Sequence, residues 1–216
     1  MNKVLLTGFD PFGGETINPA WEVVSRVHRR KTFPELQVEA RQIPTVFTTS
    51  IEVLRQAILE VQPDVVICVG QAGGRSDIAL ERVAINLNDA RIPDNEGNQP
   101  IDEPISEQGP AAYWTSLPIK SITARLRKGG IPASLSQTAG TFVCNHLFYG
   151  LQHMIATEFP GIRGGFIHIP YLPIQTAQKP QIPSMSLETM VEAIEIAVIA
   201  SVQHDRDIIA SEGQLH

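Results

Sequence analysis

An α/β fold with a mainly parallel sheet is what this sequence predicts, and three observations predict it. Short apolar, β-branched runs alternate with amphipathic helical stretches along the chain. One run, "DVVICVG" at Asp64–Gly70, is almost continuously apolar, as suits a strand covered on both faces. No repeat, low-complexity tract or linker breaks the alternation, and 216 residues fill one substantial core but not two comfortable ones. A single domain over residues 1–216 is therefore expected.

Each element has its own signal. "KVLLTGF" reads as the first strand, and "NPAWEVVSRVHR" as a helix with Asn18 as cap and Pro19 in its first turn. "LQVEARQI" alternates as a half-buried strand does, and Ile51, Leu54, Ile58 and Val61 recur at helical spacing. After Asp64–Gly70 comes "ALERVAINL", a further strand by alternation. Asn88 to Gly109 is rich in Pro, Asn, Asp and Gly without periodicity, and loops of that length are functional or disordered more often than incidental. A helix through Ile119–Leu126 stops at Gly129-Gly130. Then follow the strand "PASLSQT", a helix beginning near Cys144, the strand "GGFIHIP" and a last helix from about Ser186 to Asp205.

Composition narrows the function. With 43% apolar and 19% charged residues the chain should fold without disulfides or metals. Net charge is −6, and the basic residues are scattered apart from "HRRK" at His28–Lys31, which closes a helix whose C-terminal end favours cations. No basic face is sustained, so nucleic acid is not an expected partner. The N-terminus lacks the pattern of a signal peptide, and the apolar stretch Ile194–Val202 is too short to span a membrane. The two cysteines read as reduced thiols, and a cytoplasmic protein is expected.

Several chemistries lack their motifs. "GFDPFGG" and "GQAGGR" are glycine-rich turns after strands, but neither fits a P-loop or a dinucleotide fingerprint. They still mark the strand ends where open α/β sheets build sites. There is no G-x-S-x-G for a serine nucleophile, and no H-E-x-x-H or C-x-x-C for a metal.

Cysteine and histidine remain. Cys68, amid aliphatic residues, reads as packing. Cys144 stands at a helix start, where free N–H groups stabilise a thiolate and can bind an oxyanion. Position alone leaves a packing role equally open. His146, two positions on, points away from the thiol, and Asn145 belongs to the same segment rather than to a triad. His28, His153, His204 and His216 read as surface or satisfied residues. His168 differs, because it ends a buried strand. Glu81 is an acid in an apolar strand and needs a partner. That partner is His168 or a basic neighbour, Arg75 ahead of Arg82, which alternation turns to the other face. Glu81, Cys144 and His168 form a consistent set of orienter, nucleophile and base.

"GFDPFGGETINP", "ERVAINLNDARIPDNEGNQP", "GTFVCN" and "HIPYLP" together resemble the pyroglutamyl peptidase I, or pyrrolidone-carboxylate peptidase, family. The likeness runs from Leu5 to the last helix, and its motifs are long and specific. It implies a cytosolic cysteine exopeptidase that removes N-terminal pyroglutamate from peptides, working as a dimer or tetramer without metal or organic cofactor. It also implies a three-layer α/β/α domain with a mixed sheet. The family's catalytic residues fall on Glu81, Cys144 and His168. Its substrate pocket falls on Phe9, Phe12 and Phe142, with Gln71 at the lactam and Arg91 near the oxyanion. Ala20 stands where many relatives carry serine, a detail of the helix start. Two other classes are discriminated by experiment: a nucleoside phosphorylase-like enzyme, and a binding protein in which Cys144 only packs.

Overall fold

The structure, a computed structural model, describes residues 2–30, 32 and 35–213. The expectations for Lys31 and His216 lie outside these residues. In chain order the elements are β1 (Asn2–Phe9), α1 (Pro19–Arg30), β2 (Leu36–Ile43), α2 (Ser50–Val61), β3 (Val65–Gln71), β4 (Ile78–Glu81) and β5 (Val83–Ile85). The second half continues with β6 (Ala112–Trp114), α3 (Ile119–Lys128), β7 (Ala133–Ser136), α4 (Val143–Thr157), β8 (Arg163–Ile169), α5 (Pro173–Thr176) and α6 (Leu187–Gln203).

Six strands form one sheet in the order β2-β1-β3-β8-β4-β7. β2, β1, β3 and β8 are mutually parallel, while β4 meets β8 antiparallel and β7 follows β4 in parallel. The sheet is mixed and mainly parallel. Strand alternation sorts its side chains into two cores. Val4, Leu6, Ile67, Val69, Leu80 and Ile167 meet α1, α3 and α6, whereas Leu5, Val66, Cys68 and Phe166 meet α2 and α4. The result is a helix–sheet–helix sandwich with β3 and β8 at its centre.

Local signals act as the sequence suggests. Asn18 Oδ1 accepts the Ala20 N–H at 3.0 Å, and Ser186 Oγ accepts from Thr189 N, so two helices begin on side-chain caps. Gly130 (φ 79°) ends α3 in the left-handed region. The basic end of α1 finds a partner beyond the helix dipole: Arg26 and Arg30 pair with Glu188 of α6. At Gly8 a Cβ would lie 2.6 Å from the Ala20 backbone, which is how closely α1 crosses β1.

One strand expectation needs correction. "ALERVAINL" is not one strand; it parts at Arg82 into β4 and β5. Arg82 N–H still donates to Ser136 O of β7, while Arg82 O accepts from Thr115 N–H. Two edges thus compete for one residue, and the chain leaves the main sheet there. β5 pairs antiparallel with β6, a three-residue strand too short to show periodicity in the sequence. The 88–109 loop is irregular but fastened. Asn86 Oδ1 accepts from Ile105 and Ser106 N–H, Asp94 accepts from Phe47, Glu96 and Asn98, and Asn88 and Glu103 exchange backbone bonds.

Candidate active site

β4 and β8 bring together two residues that lie 87 positions apart. Ala79 stands directly opposite His168, and Glu81, two residues along the same face of β4, reaches the imidazole diagonally. His168 Nδ1 lies 2.7 Å from Glu81 Oε1, with Glu81 0% and His168 4% exposed. A carboxylate acceptor fixes the ring proton on Nδ1 and leaves Nε2 as a free lone pair. Phe166, two residues earlier on β8, packs its ring 4.8 Å from the imidazole.

Cys144 arrives from the helix layer above this face. Phe142 is the extended residue that caps α4, so Cys144 lies in its first turn, where backbone N–H groups have no intrahelical acceptor. The thiol is packed over β3. A Cβ at Gly70 would sit 3.0 Å from Cys144 Sγ and 2.7 Å from the Phe166 ring, so any side chain there would have to displace both. Gly70 is also the register partner of His168. Thiol, imidazole and carboxylate therefore share one face at the carboxyl ends of the central strands.

The electrostatics differ from what the helix start alone suggests. Burial, followed by the negative charge of Glu81 and then by Cys68, pushes the Cys144 thiol up to about 12. Desolvation and a nearby anion outweigh the helix N-terminus here. The resting sulfur keeps its proton, and ionising it needs a base in contact. Cys68 is likewise pushed up to about 12 by burial, with no base beside it, and serves as core.

Both partners considered for Glu81 are present together. Arg75 Nη1 lies 3.5 Å from the same Oε1 that meets His168, whereas Arg82 turns to Gln137. The remaining histidines are engaged elsewhere: His28 with Val38 O, His153 with the Tyr113 hydroxyl and His204 with Arg125. Asn145 holds Ile85 N–H and the carbonyls of Ile85 and Leu87, bracing the exit of β5.

Aromatic rings gather around Phe142 at the start of α4. Phe12 and Phe142 lie 6.1 Å apart, and Phe47 meets Phe142 edge-on at 5.3 Å. Phe47 carries no signal in the sequence, because it sits in an irregular turn and reaches the site only through folding. Phe9 is 2% exposed and packs on Phe166, under the site rather than on its surface. Gln71 ends β3 with its Oε1 taken by the Gln175 amide at 2.9 Å, a contact no local pattern announces. Arg91 is exposed on a cleft of about 420 Å³ that it shares with Asp89, Ile92, Gly140, Thr141 and Phe142.

His146 ties this region to the 88–109 loop. It is buried, with Nδ1 3.0 Å from Asn88 Oδ1 and its ring edge-on to Phe47. Burial pushes its imidazole down from 6.5 to about 4, against the Phe47 carbonyl, which favours the charged form. Between those values the unfolded chain binds a proton that the native protein does not. This stability is complete above the unfolded value and is lost as pH falls toward 4. The fall in melting temperature between about pH 7 and about pH 4.5 should shrink in His146→Gln. An equal fall in both proteins would contradict the assignment.

Comparison with known proteins identifies the family. The family model described as pyroglutamyl peptidase matches residues 2–204. The pyrrolidone-carboxylate peptidase of Brevibacillus brevis is 60% identical over 215 residues, covering 100% of both chains. The solved pyroglutamyl peptidase I of Bacillus amyloliquefaciens superposes with a TM-score of 0.94 at 60% identity, covering 97% of this chain and 99% of that one. A mutant pyrrolidone carboxyl peptidase from Pyrococcus furiosus gives 0.88 at 44% identity, covering 93% and 98%. By sequence along its length, and by a fold that superposes on solved relatives, the chain belongs to the pyroglutamyl peptidase family.

Proposed function

We propose that the chain removes N-terminal pyroglutamate from peptides as a cysteine peptidase, with Cys144 as nucleophile, His168 as base and Glu81 as orienter. The observation that carries this reading is the buried 2.7 Å contact between Glu81 and His168 on the sheet face over which the Cys144 thiol packs. As Sγ attacks the α-carbonyl of the pyroglutamyl residue, its proton passes to His168 Nε2, and Glu81 balances the imidazolium. The oxyanion turns to the N–H of Cys144, whose place at the helix start leaves it free. His168 then protonates the departing amine as the C–N bond breaks, leaving a thioester. Water attacks that thioester with His168 again as base, and Sγ leaves and recovers its proton.

Phe12, Phe142 and Phe47 offer apolar faces to a lactam ring, with Phe9 beneath and Gln71 and Arg91 as polar groups at the margin. The reading extends to one catalytic domain, a cytoplasmic setting and a homodimer or tetramer. Trp114 and Ile174, 70% and 73% exposed, are apolar surface available to such an assembly. No helix among the described residues is long and apolar enough to cross a membrane.

A pyroglutamyl fluorogenic amide tests the reading directly. Hydrolysis is expected without added phosphate, and iodoacetamide should abolish it in step with alkylation of Cys144. Turnover that requires inorganic phosphate and ignores the thiol reagent would point to the phosphorylase class. No turnover, with Cys144 alkylated no faster than Cys68, would mean that Cys144 only packs.

A further inference from the structure

Glu81 has two cationic neighbours but only one of them is always charged. Its Oε1 faces both His168 and Arg75, and its Oε2 is buried with no hydrogen-bond donor among the described residues. A fully buried carboxylate without compensation is strongly disfavoured. Whenever His168 is neutral, which is the state that can accept the thiol proton, Arg75 is the remaining balance for this charge.

Arg75 is also held in place for that task. It comes from the loop between β3 and β4, and its Nη2 donates to Ser136 Oγ at 3.2 Å and to Thr138 O at 3.4 Å, while Nη1 faces the carboxylate. The charged and titratable groups shown to act with Glu81 among the described residues are His168 from β8, Arg75 from the β3–β4 loop and Cys144 from α4. β7 contributes only the uncharged Ser136 hydroxyl.

We propose that Arg75 is a positioning residue for the reaction: it keeps Glu81 ionised and aimed at His168, and so sets the pH at which His168 can serve as base. This rests on the triad reading above. Without the guanidinium, Glu81 has no cation but the imidazolium, so His168 holds its proton to higher pH. The acid limb of kcat/KM, which reports the free enzyme's base, must then move upward.

The test is kcat/KM against pH for a pyroglutamyl amide. Arg75→Gln is expected to raise the acid limb by about one pH unit, since Arg75 is a third exposed and partly screened. Activity should recover toward the parent's at alkaline pH. Arg75→Lys keeps the charge and should bring the limb most of the way back to the parent's position. Ser136→Ala, which frees the guanidinium, should move the limb the same way by a smaller step, and decides the matter if Arg75→Gln does not fold. In a Glu81→Gln background, removing Arg75 should move nothing further. A limb that stays put in Arg75→Gln and Ser136→Ala, or activity lowered equally at every pH, overturns the role of Arg75. Full activity in Glu81→Gln alone sinks the triad reading instead, so the two failures are distinguishable.

Discussion

Cys144→Ser is expected to lower kcat/KM for a pyroglutamyl amide by several orders of magnitude, the scale typical of losing a nucleophile. The site makes this loss severe. Burial and the Glu81 charge push the thiol up to about 12, and in the proposed mechanism His168 draws its proton away at the moment of attack. An alcohol starts as a far weaker acid and a poorer nucleophile in the same surroundings. Cys68→Ser is the matched control. Cys68 lies on the same face of β3 as Gly70, but is 0% exposed and packed in the core. Its replacement puts a hydroxyl beside that of Thr7 in an otherwise apolar core, which costs at most about 1–3 kcal/mol of stability and leaves kcat largely intact. Thermal melts and initial rates of both variants separate the two thiols. Comparable turnover in Cys144→Ser and the parent would remove the nucleophile from the mechanism.

The second large effect concerns the amino terminus of the substrate. A Gln, Glu or Pro amide carries a charged amine, whereas a pyroglutamyl amide presents a neutral lactam. Three carboxylates in the loops around Phe12, Phe47 and Phe142 are already committed. Asp10 accepts from the Thr45 N–H and hydroxyl, Asp94 from Phe47, Glu96 and Asn98, and Glu15 pairs with Lys179. None of these is free to receive an ammonium group, so an amine placed among the rings would lose its hydration without a partner. A flat lactam suits them, since its carbons meet aromatic faces while its N–H and C=O take hydrogen bonds. Sites that hydrogen-bond a substrate group reject analogues lacking it by about 10⁴-fold. The Gln, Glu and Pro amides should therefore fall short of pyroglutamate in kcat/KM by about that factor. A Pro or Gln amide within tenfold of it would refute the lactam pocket.

Much of this protein is legible before it folds, because its information is local. Alternation in "LQVEARQI", helical spacing after Ser50 and caps at Asn18 and Ser186 each depend on residues within one turn or one strand. Glu81 is conspicuous for a local reason too, as a charge inside an apolar run, and so is His168 at the end of one. Other features are set by partners far along the chain. Whether β8 lies between β3 and β4, and runs antiparallel to β4, depends on which edges remain unpaired once the central strands have met. The parting of β4 from β5 at Arg82 arises because Ser136 and Thr115 both bond its backbone, and alternation reads the same whichever partner is taken. Phe47 borders the site only because the Asp94 turn fastens its backbone. The state of Cys144 is the sharpest instance. Its helix start, visible in the sequence, favours a thiolate, but the burial and the Glu81 charge that decide the matter come from strands brought beside it only by tertiary packing.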